Sequence, residues 1–156
     1  MFIVIDANEL FSLLIKGNKS SKEIFLSKSI ELVAPEFILE EFSNNKDELL
    51  SKTHKTEAEF SEALSVLKDR IKFIPKEKFE EFIPKACELI PEHIKDAEYF
   101  ALALKYNCSL WSEERLLKKQ SCISVLNTNE LSKLLLFEVY KQMEDTHLKP
   151  VDMISH

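Results

Sequence analysis

The sequence predicts an α/β fold: a single domain with a central parallel sheet of about four to five strands, flanked by helices in three layers. Two observations support this prediction. Short apolar runs alternate with helical patterns along the chain, which is the order that strand–helix–strand units produce. The runs are continuously apolar, as in 2-FIVI-5, whereas strands with one exposed face alternate apolar and polar residues. The strands are therefore expected to be buried on both faces.

The predicted elements follow one another closely along the chain. The predicted strands are 2–5, 31–34, 71–74, 108–111 and 122–126. The predicted helices are 7–16, 36–42, two within 44–69, 76–89, 96–106, 113–119 and 129–142. Gly17, the only glycine, ends the first helix, and Pro84 interrupts or shifts the helix that contains it. The polar-faced helices of 44–70 are expected to form an outlying hairpin.

Length and composition indicate one ordinary globular domain. The chain has 156 residues, of which 45% are hydrophobic and 31% are charged, and its net charge is −6. We predict that residues 1–143 form the domain and that 144–156 form an irregular, disordered tail. No apolar run reaches the roughly 18 residues that span a bilayer, so a cytoplasmic protein without a membrane partner is expected. The acidic net charge does not indicate phosphate binding, but it is compatible with carboxylates that recruit divalent cations.

Four carboxylates occupy comparable places in this arrangement. Asp6 directly follows the first strand, and Glu41 lies in the helix after the second. Asp96 begins the helix that leads into the strand 108–111, and Glu114 lies three residues beyond that strand. Because functional groups gather beyond the carboxyl ends of parallel strands, these acids are expected to lie close together.

Each acid also has an ordinary structural interpretation. Asp6 with Glu9 fits a capping box, and Asp96 fits a helix N-cap. Glu41 alone is typical of a solvated helix face, and Glu114 of a first helical turn. As a set, however, carboxylates brought to one point repel one another unless a cation compensates them, and such oxygen-rich sites suit Mg²⁺ or Mn²⁺. The pattern therefore predicts a divalent-metal site.

Four segments carry a resemblance to a known family: 2-FIVIDANEL-10, 35-PEFILEEF-42, 96-DAEYFALALKYNCSLWSEERLLKK-119 and 125-VLNTNEL-131. With them the chain resembles the PIN-domain family of metal-dependent ribonucleases. The resemblance implies a Rossmann-like three-layer fold, Mg²⁺ or Mn²⁺ as the cofactor, and hydrolysis of RNA phosphodiester bonds. Many small members of the family are VapC-type toxins of toxin–antitoxin pairs. An RNA substrate, a cognate antitoxin and a homodimer are therefore the expected partners.

Residue by residue, the resemblance implies a set of catalytic acids. Asp6 and Asp96 match the main metal ligands, and Glu41 matches a further acid that binds metal or orients water. Glu114 stands at the place of the last acid and would also bind metal. That place is commonly Asp, whereas this chain has Glu113 and Glu114 side by side, so either could fill it.

The resemblance also assigns two supporting residues. Asn8 and Ser112 match polar positions that hydrogen-bond the acids or a bound water, although Ser112 also fits a helix N-cap. Glu40 competes with Glu41 for the second acid, and the spacing of six from Pro35 favours Glu41.

Two alternatives to a nuclease are weighed against these observations. The altered last acid fits a catalytically degenerate PIN-like domain that binds RNA or a protein partner. A phosphoacceptor signalling domain needs an acceptor Asp after a middle strand and a Lys after a later one. The segments 71-IKFIPK-76 and 108-CSLWSEE-114 provide no such Asp, so this second alternative is disfavoured.

Overall fold

A five-stranded parallel sheet forms the centre of the protein, in the order β3-β2-β1-β4-β5. The structure is a computed structural model that describes residues 1–146. The strands are β1 Phe2–Ile5, β2 Glu31–Pro35, β3 Ile71–Ile74, β4 Ser109–Trp111 and β5 Val125–Leu126. The predicted α/β class, the parallel sheet and its number of strands are confirmed.

Eight α-helices flank this sheet within residues 1–146. They are α1 Ala7–Ile15, α2 Lys19–Leu26, α3 Ile38–Asn44, α4 Lys46–Thr53, α5 Glu57–Arg70, α6 Ile83–Leu89, α7 Ala97–Tyr106 and α8 Thr128–Asp145. Short 3₁₀ turns occupy Lys76–Lys78, Glu80–Phe82, Ile94–Asp96 and Arg115–Lys119. No helix within this range is long and apolar enough to cross a membrane.

The core lies on both faces of the sheet. Ile3, Val4 and Ile5 of β1 are all buried, and successive side chains of a strand point to opposite faces. α7 packs directly on β1, β2 and β4, which explains why this helix is apolar around most of its circumference. Helices therefore cover the sheet from both sides, and the ends of the central strands are left for a site.

α2 is a helix that the sequence analysis missed. It follows Gly17, whose φ of +58° lies in the left-handed region that glycine adopts readily. The Asn18 side chain caps it by accepting a hydrogen bond from the Ser21 N–H at 2.7 Å. Only Ser21, Ile24 and Phe25 of this polar segment are buried, so its apolar repeat is too short to predict a helix.

Two predicted elements were wrong in extent. The predicted helix 76–89 is two 3₁₀ turns followed by α6. The predicted interruption near Pro84 agrees with the start of α6, because Pro84 has no N–H to donate and fits only the first turn of a helix. The predicted strand 122–126 shrinks to β5. There the Gln120 side chain bonds both the carbonyl and the N–H of Ile123 at 2.8 Å, so that residue forms a local loop in place of a ladder.

The remaining differences concern the ends of elements and the outlying region. The predicted helix 113–119 begins at Arg115 and is a 3₁₀ turn, and the closing helix continues to Asp145. The rest of the predicted tail, 147–156, lies outside the described residues. The predicted hairpin of 44–70 consists of α4 and α5, which contact α1 and contribute Phe60 to the main core.

Candidate active site

The four predicted acids line a single cavity of about 300 Å³, here called the acid pocket. Its lining consists of Asp6, Ala7, Asn8, Phe11, Phe37, Glu41, His93, Lys95, Asp96, Tyr99 and Glu114. The pocket lies where β1 meets β4, and the strand order reverses at this point because β2 follows β1 on one side and β4 adjoins it on the other. Crevices at such reversals are the usual ligand sites of open α/β sheets.

Asp6 lies at the carboxyl end of β1, where the chain turns into α1. Its N–H donates to the Trp111 carbonyl of β4 at 3.4 Å, which ties the two central strands together at the pocket. Its Oδ1 accepts a hydrogen bond from the Glu9 N–H at 2.9 Å and caps α1. The structural and functional interpretations of Asp6 are thus compatible, because one carboxylate oxygen serves the cap.

Asp96 approaches the pocket from the start of α7. The 3₁₀ turn before that helix is closed by the Asp96 N–H, which donates to the His93 carbonyl at 2.9 Å. Unlike Asp6, Asp96 makes no side-chain cap bond to its own helix. The Asp96 carboxylate therefore remains available to the pocket.

The two ambiguous pairs of acids are separated by the structure. Glu41 lines the acid pocket, whereas its neighbour Glu40 is exposed and lies outside the lining. Glu114 lines the pocket and also accepts a hydrogen bond from the Leu116 N–H at 3.2 Å. Glu113 points elsewhere, because its Oε1 accepts hydrogen bonds from the Thr128 N–H and hydroxyl at 2.8 and 2.6 Å.

Comparison with known proteins gives the family. A family model described as "PIN domain" matches residues 4–136. The chain belongs to the PIN-domain family. The resemblance drawn from the sequence is thereby confirmed, while no curated protein matches the chain. Among solved structures, a chain of the crystal structure of VapBC2 from Rickettsia felis, bound to a DNA fragment from their promoter, shares the fold. Its TM-score is 0.63 at 15% identity, and the match covers 81% of this chain and 98% of that chain.

Electrostatics in the acid pocket of this PIN domain favour a cation. Burial raises the pKa of Asp6, the Ser112 hydroxyl and the Glu9 N–H oppose that rise, and the Asp96 carboxylate adds to it. Burial also raises the pKa of Asp96, where Lys95 and His93 oppose the rise and Glu114 reinforces it. Two desolvated carboxylates that repel each other are stabilised when a positive charge is placed between them.

The donor set fits a hard divalent ion that keeps much of its water. Within residues 1–146, no three His, Cys, Asp or Glu side chains form a ready-made metal cage. Mg²⁺ commonly binds through one or two carboxylates plus waters and substrate phosphates, so Asp6 and Asp96 suffice in number. The oxygen-only acids of the pocket also match the ligands that Mg²⁺ and Mn²⁺ prefer.

Two polar residues that the resemblance named lie close to the acids. Asn8 lines the acid pocket from the first turn of α1. Ser112 is buried at the end of β4, and its hydroxyl accepts a hydrogen bond from the Glu114 N–H at 3.1 Å. The Ser112 hydroxyl also lowers the pKa of Asp6, so Ser112 lies beside both Asp6 and Glu114.

Three further lining residues were missed by sequence reasoning: Tyr99, Lys95 and His93. Within residues 1–146, the Tyr99 hydroxyl is the one fully buried side-chain oxygen or nitrogen without a hydrogen-bond partner. Burial and the Glu41 and Asp6 carboxylates raise the pKa of Tyr99, so the hydroxyl stays protonated. Tyr99 lies three residues after Asp96 on α7, and this helical spacing was the signal that could have identified it.

Three basic residues that follow Glu114 lie outside the acid pocket. Arg115, Lys118 and Lys119 belong to the 3₁₀ turn after Glu114, and none of them lines the cavity. Lys118 is paired with Glu130 of α8. The cationic side chain at the pocket is instead that of Lys95.

Proposed function

We propose that this PIN domain is a divalent-metal-dependent endoribonuclease that hydrolyses RNA phosphodiester bonds. PIN domains are generally nucleases. The observation that supports the proposal is the position of Asp6 and Asp96, two carboxylates from different elements that line one cavity where the sheet reverses its strand order. A second carboxylate nearby destabilises an acid that only caps a helix, so a capping role alone does not explain why the two lie together.

Asp6 and Asp96 would hold Mg²⁺ or Mn²⁺, with Glu114 as a further ligand directly or through water. The chemistry that such an ion supplies is positive charge, which lowers the pKa of water and balances the charge that develops on a phosphate. Glu41 lies on the α3 side of the same cavity and is suited to accept a hydrogen bond from the attacking water. Lys95 is suited to contact a phosphate oxygen of the RNA.

Asn8 and Ser112 would position these groups without touching the RNA. The Ser112 hydroxyl accepts from the Glu114 backbone and lies beside Asp6, so it fixes the acids at the ends of β1 and β4 relative to each other. The Asn8 side chain can donate to a carboxylate or to a bound water in the pocket.

We further propose that the nuclease is a cytoplasmic toxin of a toxin–antitoxin pair and acts as a homodimer that a cognate antitoxin inhibits. The support is its likeness in fold to a chain of the VapBC2 complex. Co-expression with a candidate antitoxin tests this proposal. A cognate antitoxin should bind the full chain and suppress its cleavage activity.

The experiment that tests the nuclease is cleavage of a pool of single-stranded and structured RNA by the purified full-length protein. We expect cleavage with Mn²⁺ or Mg²⁺ and none with EDTA. Asp6→Asn and Asp96→Asn should each lower the cleavage rate about 100-fold or more. Asp69→Asn, which removes an exposed acid at the end of α5, is the matched control and should cleave like the wild type.

A degenerate PIN-like domain that binds RNA or a protein partner is the second candidate. It is favoured by the Glu114 side chain, which is hydrogen-bonded to its own backbone turn at Leu116, and by the absence of a three-ligand cage within residues 1–146. The two candidates differ in metal binding. A folded protein that neither binds Mn²⁺ nor cleaves the RNA pool would contradict the nuclease and support the binding module.

A further inference from the structure

A second cavity of about 410 Å³, here called the hydroxyl groove, adjoins the acid pocket. Its lining consists of Glu9, Ser12, Asn18, Ser20, Ser21, Glu113, Asn127, Thr128 and Asn129. The two cavities share their walls. The Glu9 N–H is bonded to Asp6, and Glu113 and Glu114 are consecutive, so each segment contributes one acid to each cavity.

Glu9 is the unusual member of this lining. Its side chain is only 5% exposed, and its carboxyl group accepts no hydrogen bond from residues 1–146, although it borders the groove. Its oxygens are not sealed from solvent, since the Tyr99 hydroxyl alone is fully buried without a partner within residues 1–146, so they can accept hydrogen bonds only from water or a ligand in the groove. Glu113, by contrast, already accepts two hydrogen bonds from Thr128. Glu9 is therefore the acid that remains free to bind an occupant.

The surroundings of Glu9 favour a neutral, hydrogen-bonding group that belongs to a negatively charged polymer. The remaining lining side chains are uncharged hydroxyls and amides. Lys16, Lys19 and Lys22 are exposed on the segment that carries Asn18, Ser20 and Ser21. These lysines attract phosphates and repel a cationic peptide, so RNA suits this side of the protein better than a basic partner segment.

We propose that the hydroxyl groove binds a guanine base of the RNA strand, with the Glu9 carboxylate accepting hydrogen bonds from the guanine N1–H and N2–H groups. The proposal rests on the proposed ribonuclease function, and it adds a base preference to it. Single-stranded RNA is read in this way, by hydrogen bonds to the Watson–Crick edges of unstacked bases. The cavity volume lies within the range of small-ligand sites, and the hydroxyls of Ser12 and Ser20 provide polar contacts for the rest of the nucleotide.

Guanine is preferred because of its donor pattern. A carboxylate has two acceptor oxygens and no donor, so it matches a base edge with two parallel N–H groups. Guanine has such an edge, whereas adenine and cytosine each offer one amino group beside an acceptor, and uracil offers one N–H between two carbonyls. The other three bases would leave a Glu9 oxygen unpaired or facing an acceptor.

The test uses binding without catalysis, on the wild-type full chain in EDTA at pH 8, where the Glu9 carboxyl group is ionised. The probes are fluorescent 2′-O-methyl pentauridylates whose central base is replaced by guanine, inosine, adenine or cytosine, and the readout is anisotropy. We expect the guanine probe to bind about tenfold more tightly than the adenine, cytosine and uracil probes, which corresponds to about 1.4 kcal/mol. The inosine probe lacks the N2 amino group and should fall between them.

Two variants separate the groove from the acid pocket. Glu9→Gln keeps the shape of the side chain but replaces one acceptor by a donor, so it should abolish the guanine preference. Glu31→Gln, at the exposed start of β2 and outside both cavities, is the matched control and should keep it. Asp96→Asn should lose cleavage in Mn²⁺ yet retain the guanine preference.

These outcomes distinguish the failure of each proposal. Metal-dependent cleavage without a base preference, or equal binding of guanine and inosine probes by the wild type, would overturn the guanine subsite and leave the nuclease intact. Guanine-selective binding without metal-dependent cleavage would overturn the nuclease and leave the guanine subsite intact. If N-acetyl-arginine amide bound to the groove more tightly than guanosine monophosphate and lost its binding in Glu9→Gln, a basic protein partner would replace RNA as the occupant.

Discussion

At the scale of single residues, folding raises the pKa of the Glu9 carboxyl group. Burial raises the pKa of Glu9 to about 7, and the Asp6 and Glu113 carboxylates add to the rise. Its ordinary value is 4.5. Between pH 4.5 and about 7, Glu9 is protonated in the folded protein but ionised in the unfolded chain. The free energy of unfolding therefore falls as the pH rises through this range. Below 4.5 and above 7 the contribution of Glu9 is constant.

Glu9→Gln should therefore stabilise the protein at neutral to alkaline pH and not in acid. At pH 8 in EDTA we expect a gain of about 2 to 3 kcal/mol in the free energy of unfolding. A rise from 4.5 to about 7 gives about 3.5 kcal/mol at about 1.4 kcal/mol per pKa unit, and water in the groove screens part of it. At pH 4 the gain should vanish. Urea unfolding at the two pH values measures it, with Glu31→Gln as the exposed control; equal effects of Glu9→Gln at both would contradict the prediction.

At the scale of single elements, α5 begins with a complete capping box. The Thr56 hydroxyl accepts a hydrogen bond from the Glu59 N–H at 3.2 Å, and the Glu59 carboxylate accepts from the Thr56 N–H at 3.2 Å. This reciprocal pair satisfies donors that the first turn leaves free. The helix also carries Phe60 and Leu67 into the core, so its start sets where these side chains lie.

Thr56→Ala should cost about 1 kcal/mol in the free energy of unfolding, since the cap is lost while Phe60 stays in place. Ser65→Ala, at an exposed position in the middle of the same helix, is the control and should be neutral or slightly stabilising. Thermal or urea unfolding of the two variants measures the difference. Equal stabilities of the two variants would contradict the contribution assigned to the Thr56 cap.

A comparison of the elements shows which of them the sequence predicts and which it does not. β1, β2 and α7 were predicted because their apolar residues are contiguous and local pattern decides their structure. α2 was not, because its helical state depends on Asn18 and on burial against α8, neither of which produces an apolar repeat. Likewise, Asp6 was found from the end of a strand and Asp96 from the start of a helix, whereas the burial of Tyr99 and Glu9 became visible only in the packed structure.

At the scale of the whole molecule, α8 presents an apolar face. Leu136, Phe137, Val139 and Tyr140 are exposed, and a cavity lined by Ile24, Leu135, Leu136 and Val139 joins this face to α2. In a two-fold dimer the same patch meets itself, so one apolar helix face supplies both sides of the contact. This face is accordingly our candidate for the predicted homodimer.

Phe137→Asp should weaken dimerisation at least about tenfold, because an aromatic side chain at the centre of an interface contributes strongly to affinity. Val66→Asp, which replaces an exposed apolar residue of α5, is the control and should leave the dimer unchanged. Analytical ultracentrifugation over a range of protein concentrations measures both. A wild-type protein that stays monomeric at 100-fold dilution and at high concentration alike would contradict the assignment.

The two outer strands of the sheet limit how the molecule can aggregate. β5 pairs through only two residues, Val125 and Leu126, and β3 places the exposed Lys72 in its middle. An unpaired strand edge is a template for amyloid-like strand addition, and shortness and charge are the features that block it. Each end of this sheet has one of them. The protein should therefore resist fibril growth from its native state, even at concentrations at which its helices associate.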